Sequence, residues 1–518
     1  MGSREWGNGG KVSPLTPARV RQAGQRSSVS PLSGDTPQRP VSRSLLPNFA
    51  LYTLGCKLNQ LESEAIADSF RKAGFALVPP AALPGIIIIN TCTVTSKADQ
   101  KCRRIIRKAL RDNPHSCVIV TGCYARLDSE EIAALERESE SAGIRRLFVA
   151  GGTAKSALLN LPEYVREALA HLPDGLPRED VLSNIVESWM GAKNASGTFD
   201  FMPEEFAFHS RGYLKIQDGC DNSCSYCRVR LARGPSVSLP KEAALARLRS
   251  FEERGCAELM ITGVNITQYR HSGVDFDGGL AGLLEYLLEG SAAIALRLSS
   301  LEPEAINERL ASVLSHPRIR PHFHLSVQSG SDAVLRAMGR AYTAQTVEKA
   351  TALLRGVKDN PFLACDIIAG FPGEGAAEFD QTLALCAKTG FAWIHAFPYS
   401  KRPGTPAFSL SHSVRECDVT QRVQALTQLA MRGRRDYAQT WLNRRLSAVV
   451  EKSPGAEPCP AGQCRAVSEN YLKLLVNCSD ERLLGECPPP GSSLCCIPVS
   501  LCDEADGEKP DAIAVAAS

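Results

Sequence analysis

Short apolar runs alternate with helical patterns along most of this sequence, and that alternation limits the possible folds more than any other feature. In the first block, residues 48–168, four such runs predict strands at residues 49–53, 86–90, 117–121 and 147–150. Helices between successive strands favour a parallel sheet with right-handed crossovers. This block is therefore predicted to be a parallel α/β domain.

The second block, residues 209–435, repeats the alternation, and its apolar runs predict strands at residues 213–216, 258–262, 295–299, 323–327, 363–368 and 392–397. Six β/α units are fewer than a closed (β/α)8 barrel contains, so a partial (β/α)6 barrel is predicted. A smaller β-rich unit follows at residues 437–502. The predicted fold class is therefore α/β, with a small β domain after the barrel.

Three further segments lack apolar periodicity. Residues 1–46 are rich in Ser, Pro, Gly and Arg and are predicted to be a disordered basic tail. Residues 503–518 are acidic and rich in alanine, and they are predicted to be a second disordered tail. Residues 169–208 contain two stretches of Gly, Pro and polar residues and are predicted to be an interdomain linker.

Cysteine is the unusual feature of the composition, with 19 residues in a 518-residue chain whose formal net charge is only +3. The sequence has no secretory signal and no uninterrupted apolar stretch of about 18 residues, so we expect a soluble, cytoplasmic protein without a membrane partner. In a reducing compartment, cysteines serve as metal ligands or as small core residues and not as disulfides.

Three cysteines directly after the first predicted barrel strand carry the strongest functional signal. Cys220, Cys224 and Cys227 have C-x3-C-x2-C spacing, and such a short loop can converge three thiolates on one iron–sulfur cluster. Three ligands for a four-iron cluster leave one iron open to a small molecule, by the same logic as the open position of catalytic zinc. An accidental spacing in a cysteine-rich chain is the alternative.

Three other cysteines are far apart in sequence but share a position. Cys56, Cys92 and Cys123 each follow a predicted strand of the first block within three residues. Because the carboxyl ends of parallel strands lie along one edge of a sheet, loops there can bring the three side chains together. A second metal cluster and three buried thiols both fit this pattern.

Small and polar residues follow successive barrel strands, at the rim where β/α barrels build their active sites. Glycine lets the backbone approach a ligand closely, and Asp, Gln and Ser side chains can hydrogen-bond a ribose or a carboxylate. Ordinary turns are the alternative explanation. The candidate cofactor contacts are Gly263, Asn265, Ser300, Gln328, Asp366 and Gly370.

Residues 219–227, with Tyr226 before the last cysteine, resemble the signature of the radical S-adenosylmethionine (SAM) superfamily. The resemblance implies that the open iron of a [4Fe–4S] cluster chelates the amino and carboxylate groups of SAM. Reduction of that cluster then cleaves SAM to a 5′-deoxyadenosyl radical, which implies an electron-donor protein as a partner. The sequence does not identify that donor.

Residues 48–500 as a whole resemble the methylthiotransferase family. The resemblance implies that Cys56, Cys92 and Cys123 hold an auxiliary [4Fe–4S] cluster, so that the chain carries two clusters. Residues 465–473 resemble the small β-barrel RNA-binding domain of that family. Additional cysteines in this domain are predicted to be packing thiols, with a zinc site or an extra cluster as the alternative.

A basic segment at residues 421–445 contains six arginines and one acidic residue. This composition suits phosphate contact and base stacking, and a solvated helix face is the alternative. The resemblance implies tRNA as the partner. The predicted RNA contacts are Arg432, Arg434, Arg435, Arg444, Arg445 and Lys473.

Residues 54–60, 211–217 and 263–266 resemble the branch of the family that acts on N6-threonylcarbamoyladenosine at position 37 of tRNA. The implied reaction removes a hydrogen from adenine C2 and adds a methylthio group there. The alternatives are a methylthiotransferase for isopentenyladenosine or for a ribosomal-protein aspartate, a radical SAM RNA methylase without sulfur insertion, and a non-enzymatic RNA-binding iron–sulfur scaffold.

Overall fold

The computed structural model describes residues 46–137, 145–152, 154–171, 178–192, 197–270, 278–452, 462–478, 487–502 and 509–517. All of them belong to one compact unit. The predicted basic tail, apart from Leu46, lies outside the described residues. No helix within these ranges has both the length and the apolarity that crossing a membrane requires.

The first block is a four-stranded parallel sheet whose strand order follows the chain. Its strands are β1 (Phe49–Thr53), β2 (Ile86–Thr91), β3 (Cys117–Gly122) and β4 (Leu147–Ala150). Isoleucines 86–89 of β2 are fully buried, and they point alternately into two apolar cores, one on each face of the sheet. A continuous apolar run is what a strand covered on both faces requires.

In the described residues of this block, seven helices accompany the sheet. They are α1 (Lys57–Lys72), α2 (Ser96–Asp112), α3 (Cys123–Leu127), α4 (Ser129–Arg137), α5 (Ala154–Ala157), α6 (Leu161–Ala170) and α7 (Arg178–Gly191).

Helix α7 corrects the prediction that residues 169–208 are a linker. Leu182, Val186 and Trp189 are four and three residues apart, so they lie on one face of the helix. All three are buried in a core of the first sheet. The Gly- and Pro-containing stretches on either side give the segment a linker-like composition, but its apolar helix face belongs to the first domain.

The central block is a partial barrel of six parallel strands, as predicted. It consists of two three-stranded sheets, and isolated parallel bridges lead from the first sheet to the second. The strands, with the short antiparallel hairpin β6–β7, are β5 (Gly212–Lys215), β6 (Gln217–Asp218), β7 (Val237–Ser238), β8 (Glu258–Thr262), β9 (Ala295–Leu298), β10 (His322–Gln328), β11 (Phe362–Ala369) and β12 (Trp393–Pro398).

Helices alternate with these strands and place the carboxyl ends of the strands at one rim. They are α8 (Val229–Arg233), α9 (Lys241–Glu253), α10 (Gly279–Glu289), α11 (Glu308–Leu314), α12 (Asp332–Ala337), α13 (Ala344–Gly356), α14 (Ala376–Thr389) and α15 (Glu416–Gln439).

Five strands form a small closed barrel after α15: β13 (Leu446–Val450), β14 (Gln463–Ser468), β15 (Lys473–Asn477), β16 (Ser493–Leu501) and β17 (Ala512–Ala516). Strand β17 corrects the prediction of a disordered tail at residues 503–518, because it pairs with β15 and β16 and closes the barrel. Ala512 and Ala514 are fully buried. Alternate small side chains fit the interior of a small barrel, and an alanine-rich composition conceals that pattern.

Candidate active site

The three cysteines of the first domain lie together at the carboxyl edge of its sheet. Cys56 follows β1 and precedes α1, Cys92 follows β2, and Cys123 begins α3 directly after β3. Burial raises the pKa of the Cys92 thiol to about 12, and the nearby Cys56 and Cys123 act in the same direction. The fold therefore brings together the three residues that the sequence pattern selected.

Glycines beside two of these cysteines make the close approach possible. Gly55 has a φ of 102°, and a Cβ atom there would lie 2.8 Å from the Sγ atom of Cys92. Gly122 has a φ of 99°, and a Cβ atom there would collide with the backbone oxygen of Thr91. Both positions need glycine for their left-handed backbone and for the space it leaves.

The second cysteine set occupies the loop between β6 and α8. Gly219, with a φ of 71°, turns the chain out of β6, and the Cys220 amide donates to the carbonyl of Gly234 at 3.1 Å. The Cys227 amide donates to the carbonyl of Cys224 at 3.2 Å. Burial raises the pKa of the Cys227 thiol to about 12, and its neighbours Cys224 and Cys220 add to that effect. The loop thus folds back so that its three thiols are neighbours.

The donor chemistry of this loop fits an iron–sulfur cluster. The Arg340 Nη1 atom donates to the Sγ atom of Cys224 at 3.2 Å, and the Val229 amide donates to the Sγ atom of Cys227 at 3.4 Å. Such donors stabilise thiolates and tune a bound cluster. Because burial raises the pKa of the Cys220 and Cys227 thiols, metal binding has to displace their protons at neutral pH. A bound [4Fe–4S] cluster supplies the reductive cleavage of SAM to a carbon radical.

A cavity of about 720 Å³ joins the cysteine edge of the first domain to the rim of the barrel. Its volume falls in the range of about 300–1,000 Å³ that is usual for small-molecule sites. Residues that line it from these two parts include Cys56, Cys92, Cys123, Gly263, Ser300 and Asp366. Three of the six predicted cofactor contacts therefore face this space.

A chain of polar contacts orders the rim. The Ser300 hydroxyl lies 3.0 Å from His324 Nδ1, and His324 Nε2 lies 3.0 Å from Asp366 Oδ1. Burial by itself would raise the pKa of Asp366, but His324 outweighs it and lowers that pKa. Asn265 lies beside Cys220, where burial raises the pKa of the thiol and the Asn265 side chain opposes that effect.

Two predicted cofactor contacts have other surroundings. A Cβ atom on Gly370 would collide with the side chain of Val419, so this glycine allows helix α15 to pack closely against the end of β11. Gln328 ends β10 in a left-handed conformation, with a φ of 63°. As far as the described residues show, neither residue lines the cavity.

Lys57, for which the sequence predicted no role, also lines the cavity and directly follows the ligand candidate Cys56. Within the described part of the chain, its ammonium group has no hydrogen-bond or ion-pair partner, and burial lowers its pKa. Arg211 lines the same wall, but its Nη2 atom donates to Glu451 at 2.6 Å. Lys57 therefore places an ammonium group in the cavity wall, where burial disfavours its charged form and Tyr471 and Asp366 favour it.

The small C-terminal barrel contributes Tyr471 to the same wall. Its ring lies 4.0 Å from the ring of His322, measured between centroids. Burial by itself would raise the pKa of Tyr471, but Lys57, Arg211 and Arg297 outweigh it and lower the pKa. All three folded domains thus contribute to one cavity. Only the folded structure shows this, because the contributing residues are far apart in sequence.

The residues predicted to contact RNA differ in how exposed they are and in whether they already form ion pairs. Arg432, Arg435 and Arg445 are exposed, and exposed Arg444 pairs with Asp359. Lys473 is half-buried in a groove of about 250 Å³ that Arg465 and Lys452 also line.

Arg434 corrects the prediction, because it is only 2% exposed. Its Nη2 atom donates to Asp511 at 2.7 Å, and its guanidinium lies 5.2 Å from the centre of the Trp393 ring. It therefore holds α15 against the small barrel and is not available to RNA.

Known families match the two parts that carry the cysteines. Residues 48–142 match the family described as "Uncharacterized protein family UPF0004", and residues 214–386 match the radical SAM superfamily. The barrel, its three-cysteine loop and this match define the chain as a radical SAM enzyme.

Similar proteins indicate which family of radical SAM enzymes the chain belongs to. Threonylcarbamoyladenosine tRNA methylthiotransferase MtaB of Treponema pallidum is 38% identical, over 82% of this chain and 93% of that protein. The protein of the same name from Thermotoga maritima is 34% identical, over 73% of this chain and 80% of that protein. The tRNA-2-methylthio-N(6)-dimethylallyladenosine synthase of a Jannaschia species is 30% identical, over 86% of this chain and 92% of that protein. The chain belongs to the methylthiotransferase family, and its cofactors are two [4Fe–4S] clusters and SAM.

Proposed function

We propose that this methylthiotransferase acts on tRNA and adds a methylthio group to C2 of N6-threonylcarbamoyladenosine at position 37, next to the anticodon. Relatives whose names contain this substrate are 29–38% identical over most of the chain, which supports the proposal. In this proposal, the auxiliary cluster is held by Cys56, Cys92 and Cys123, and the cluster that cleaves SAM is held by Cys220, Cys224 and Cys227.

The observation that carries the substrate assignment is the unpaired ammonium group of Lys57 in the cavity wall. A threonylcarbamoyl group ends in a carboxylate, whereas a dimethylallyl group is a hydrocarbon. A poorly hydrated charge without a partner costs several kcal/mol, and a substrate carboxylate would remove that cost. A hydrocarbon in the same place would leave Lys57 unpaired, so the cavity favours the threonylcarbamoyl substrate.

The remaining cavity surface suits a nucleoside. The half-buried Trp393 and Tyr471 supply aromatic rings on which a base can stack. Ser300 and Asp366 supply polar groups at the barrel rim for a ribose or for the carboxylate of SAM. Gly263 leaves room for close approach of the backbone, and Asn265 is proposed to contact SAM beside the first ligand of the cluster.

For the rest of the tRNA, we assign phosphate contacts to the exposed Arg432, Arg435 and Arg445 and to Lys473 in its groove. Arg211 lines both that groove and the cavity, so a backbone held in the groove leads towards the reacting base. The surfaces would hold the anticodon stem while the modified base enters the cavity.

Cleavage of SAM consumes an electron, so an electron-donor protein is the second proposed partner. We place the reaction in the cytoplasm, where the cysteines of the chain remain reduced and available to iron.

Mass spectrometry of tRNA nucleosides from cells that lack the gene tests this proposal. We expect 2-methylthio-N6-threonylcarbamoyladenosine to disappear and to return with the wild-type gene or with Lys57→Arg, but not with Lys57→Met. Retention of that nucleoside in the deletion strain, or loss of the 2-methylthio-dimethylallyl nucleoside in its place, would contradict the substrate assignment.

A further inference from the structure

A compact group of three thiols lies in the small C-terminal barrel and takes no part in the cavity. Cys464 belongs to β14, Cys478 directly follows β15, and Cys487 precedes β16. Their Sγ atoms all lie within 4.8 Å of one another. Cys464 and Cys478 are 5% and 0% exposed, and Cys487 is half-buried. Three segments of the barrel thus each place one sulfur atom in the same small region.

The distances fit a single tetrahedral ion. With Zn–S bonds of about 2.3 Å, two sulfur ligands of a tetrahedron are about 3.8 Å apart. The Sγ atoms of Cys464 and Cys478 are 3.6 Å apart. A disulfide would need about 2.05 Å, so the two thiols are set at ligand spacing and not at bonding distance.

In each of the two cysteine sets assigned to iron–sulfur clusters, the Sγ atoms are spread further apart than in this group. Within the described residues, no other set of three cysteines has all its Sγ atoms within 4.8 Å. A four-iron cluster is larger than one ion and spreads its ligands further apart, whereas one zinc ion draws them together. The compactness of the third set therefore indicates a mononuclear site.

The backbone fixes two of the three cysteines without help from a metal. Strands β14 and β15 are antiparallel, with Cys464 opposite Val476. The Cys478 amide donates to the carbonyl of Gly462 at 2.7 Å, which closes this end of the hairpin. A preformed pair of thiols therefore meets a third thiol from the segment before β16.

We propose that Cys464, Cys478 and Cys487 bind one zinc ion, with solvent or a further side chain as its fourth ligand. Thiolates are soft ligands that select zinc over magnesium or calcium. The ion joins the β14–β15 hairpin to the segment before β16. Arg465 and Lys473 lie on that hairpin and line the groove assigned to tRNA, so the ion stiffens that surface.

Elemental analysis of the full chain, purified without oxygen, tests the proposal. We expect about one zinc per chain in addition to iron, and a loss of zinc of about fivefold or more in Cys487→Ser with iron unchanged. Cys495→Ser is the matched control, because Cys495 is half-buried in the same barrel and lies outside the group. Wild-type protein without stoichiometric zinc, or full zinc in Cys487→Ser, would overturn it.

Zinc X-ray absorption on the same samples separates this site from zinc bound elsewhere. We expect three or more sulfur neighbours at about 2.3 Å in the wild-type protein. Zinc surrounded mainly by nitrogen and oxygen would overturn the proposal. Unchanged iron content in Cys487→Ser would show that a loss of zinc does not come from misfolding of the whole chain.

Discussion

Arg233 donates a hydrogen bond from Nη1 to Oε1 of Glu62 at 3.1 Å, and both side chains are buried. Glu62 lies on α1, which begins directly after Cys56, and Arg233 ends α8, which follows Cys227. The same Nη1 atom donates to Asp218, before the radical SAM loop, at 3.1 Å. A buried ion pair therefore ties the loop of one cysteine set to the loop of the other.

Arg233→Met should uncouple the two cysteine sets. We expect methylthio transfer to fall about 100-fold, because misplacement of the reacting groups is costly, while SAM cleavage to 5′-deoxyadenosine changes little. Breaking the buried pair also costs about 3–5 kcal/mol of stability. Both products are measured in one reaction, with the surface residue Arg71→Met as the control. Equal losses of both products would contradict the coupling.

Arg340→Met removes the cationic donor to the Sγ atom of Cys224. A positive donor favours the more negative reduced cluster, so its removal should make the reduction potential of that cluster more negative. Loss of such a supporting contact typically costs about 10–100-fold in activity, and we expect SAM cleavage to slow by that factor. Potentiometry followed by electron paramagnetic resonance checks this, and Arg340→Lys should recover part of the shift. An unchanged potential would count against it.

Glu258 makes stability sensitive to acid. It accepts hydrogen bonds from Arg297 at 2.6 and 2.9 Å. Burial by itself would raise its pKa, but Arg297, Arg211 and Arg320 outweigh burial and lower the pKa from 4.5 to about 2. Since the pKa is lower in the folded state, the stabilisation is complete above the unfolded value and is lost as the pH falls towards 2.

Urea unfolding of the cluster-free chain at several pH values measures this effect. Near neutral pH, the free energy of unfolding of Glu258→Gln should be about 3–5 kcal/mol below that of the wild type, because the arginines lose their partner. On acidification, the variant should lose less stability than the wild type. The exposed Glu205→Gln should follow the wild-type curve. Parallel curves for wild type and Glu258→Gln would show that this carboxylate does not contribute.

Trp189→Ala tests whether α7 is part of the first domain. Trp189 is 2% exposed in the core of that domain, so its truncation should cost about 3–5 kcal/mol. Glu187 on the same helix forms only a surface ion pair with Arg145, and Glu187→Ala should change stability by less than about 1 kcal/mol. The free energy of unfolding measures both, and similar small values would mean that the segment is a linker after all.

The parallel strands of the first domain and of the partial barrel, and the two cysteine sets, could be predicted from the sequence. Apolar runs such as residues 86–89 are local signals, and the carboxyl ends of parallel strands meet at one edge by topology. Arg434 could not be interpreted in this way, because its partner Asp511 is 77 residues away, in a segment with the composition of a tail.

The meaning of Lys57 also required the folded chain. In the sequence, Lys57 is simply the residue after the ligand candidate Cys56. Its proposed role in substrate binding depends on its place in a cavity that residues of three domains line. Helix α7 was missed for a different reason, since its apolar positions lie between stretches with the composition of loops.

Iron content combined with product analysis tests most directly whether two clusters serve one cavity. Wild-type chain purified without oxygen should contain about eight irons, and the triple variant Cys56→Ala, Cys92→Ala, Cys123→Ala about four. The variant should still release 5′-deoxyadenosine from SAM but add no methylthio group to tRNA. About four irons in the wild type, or methylthio transfer by the triple variant, would show that the first cysteine set does not hold a cluster needed for the reaction.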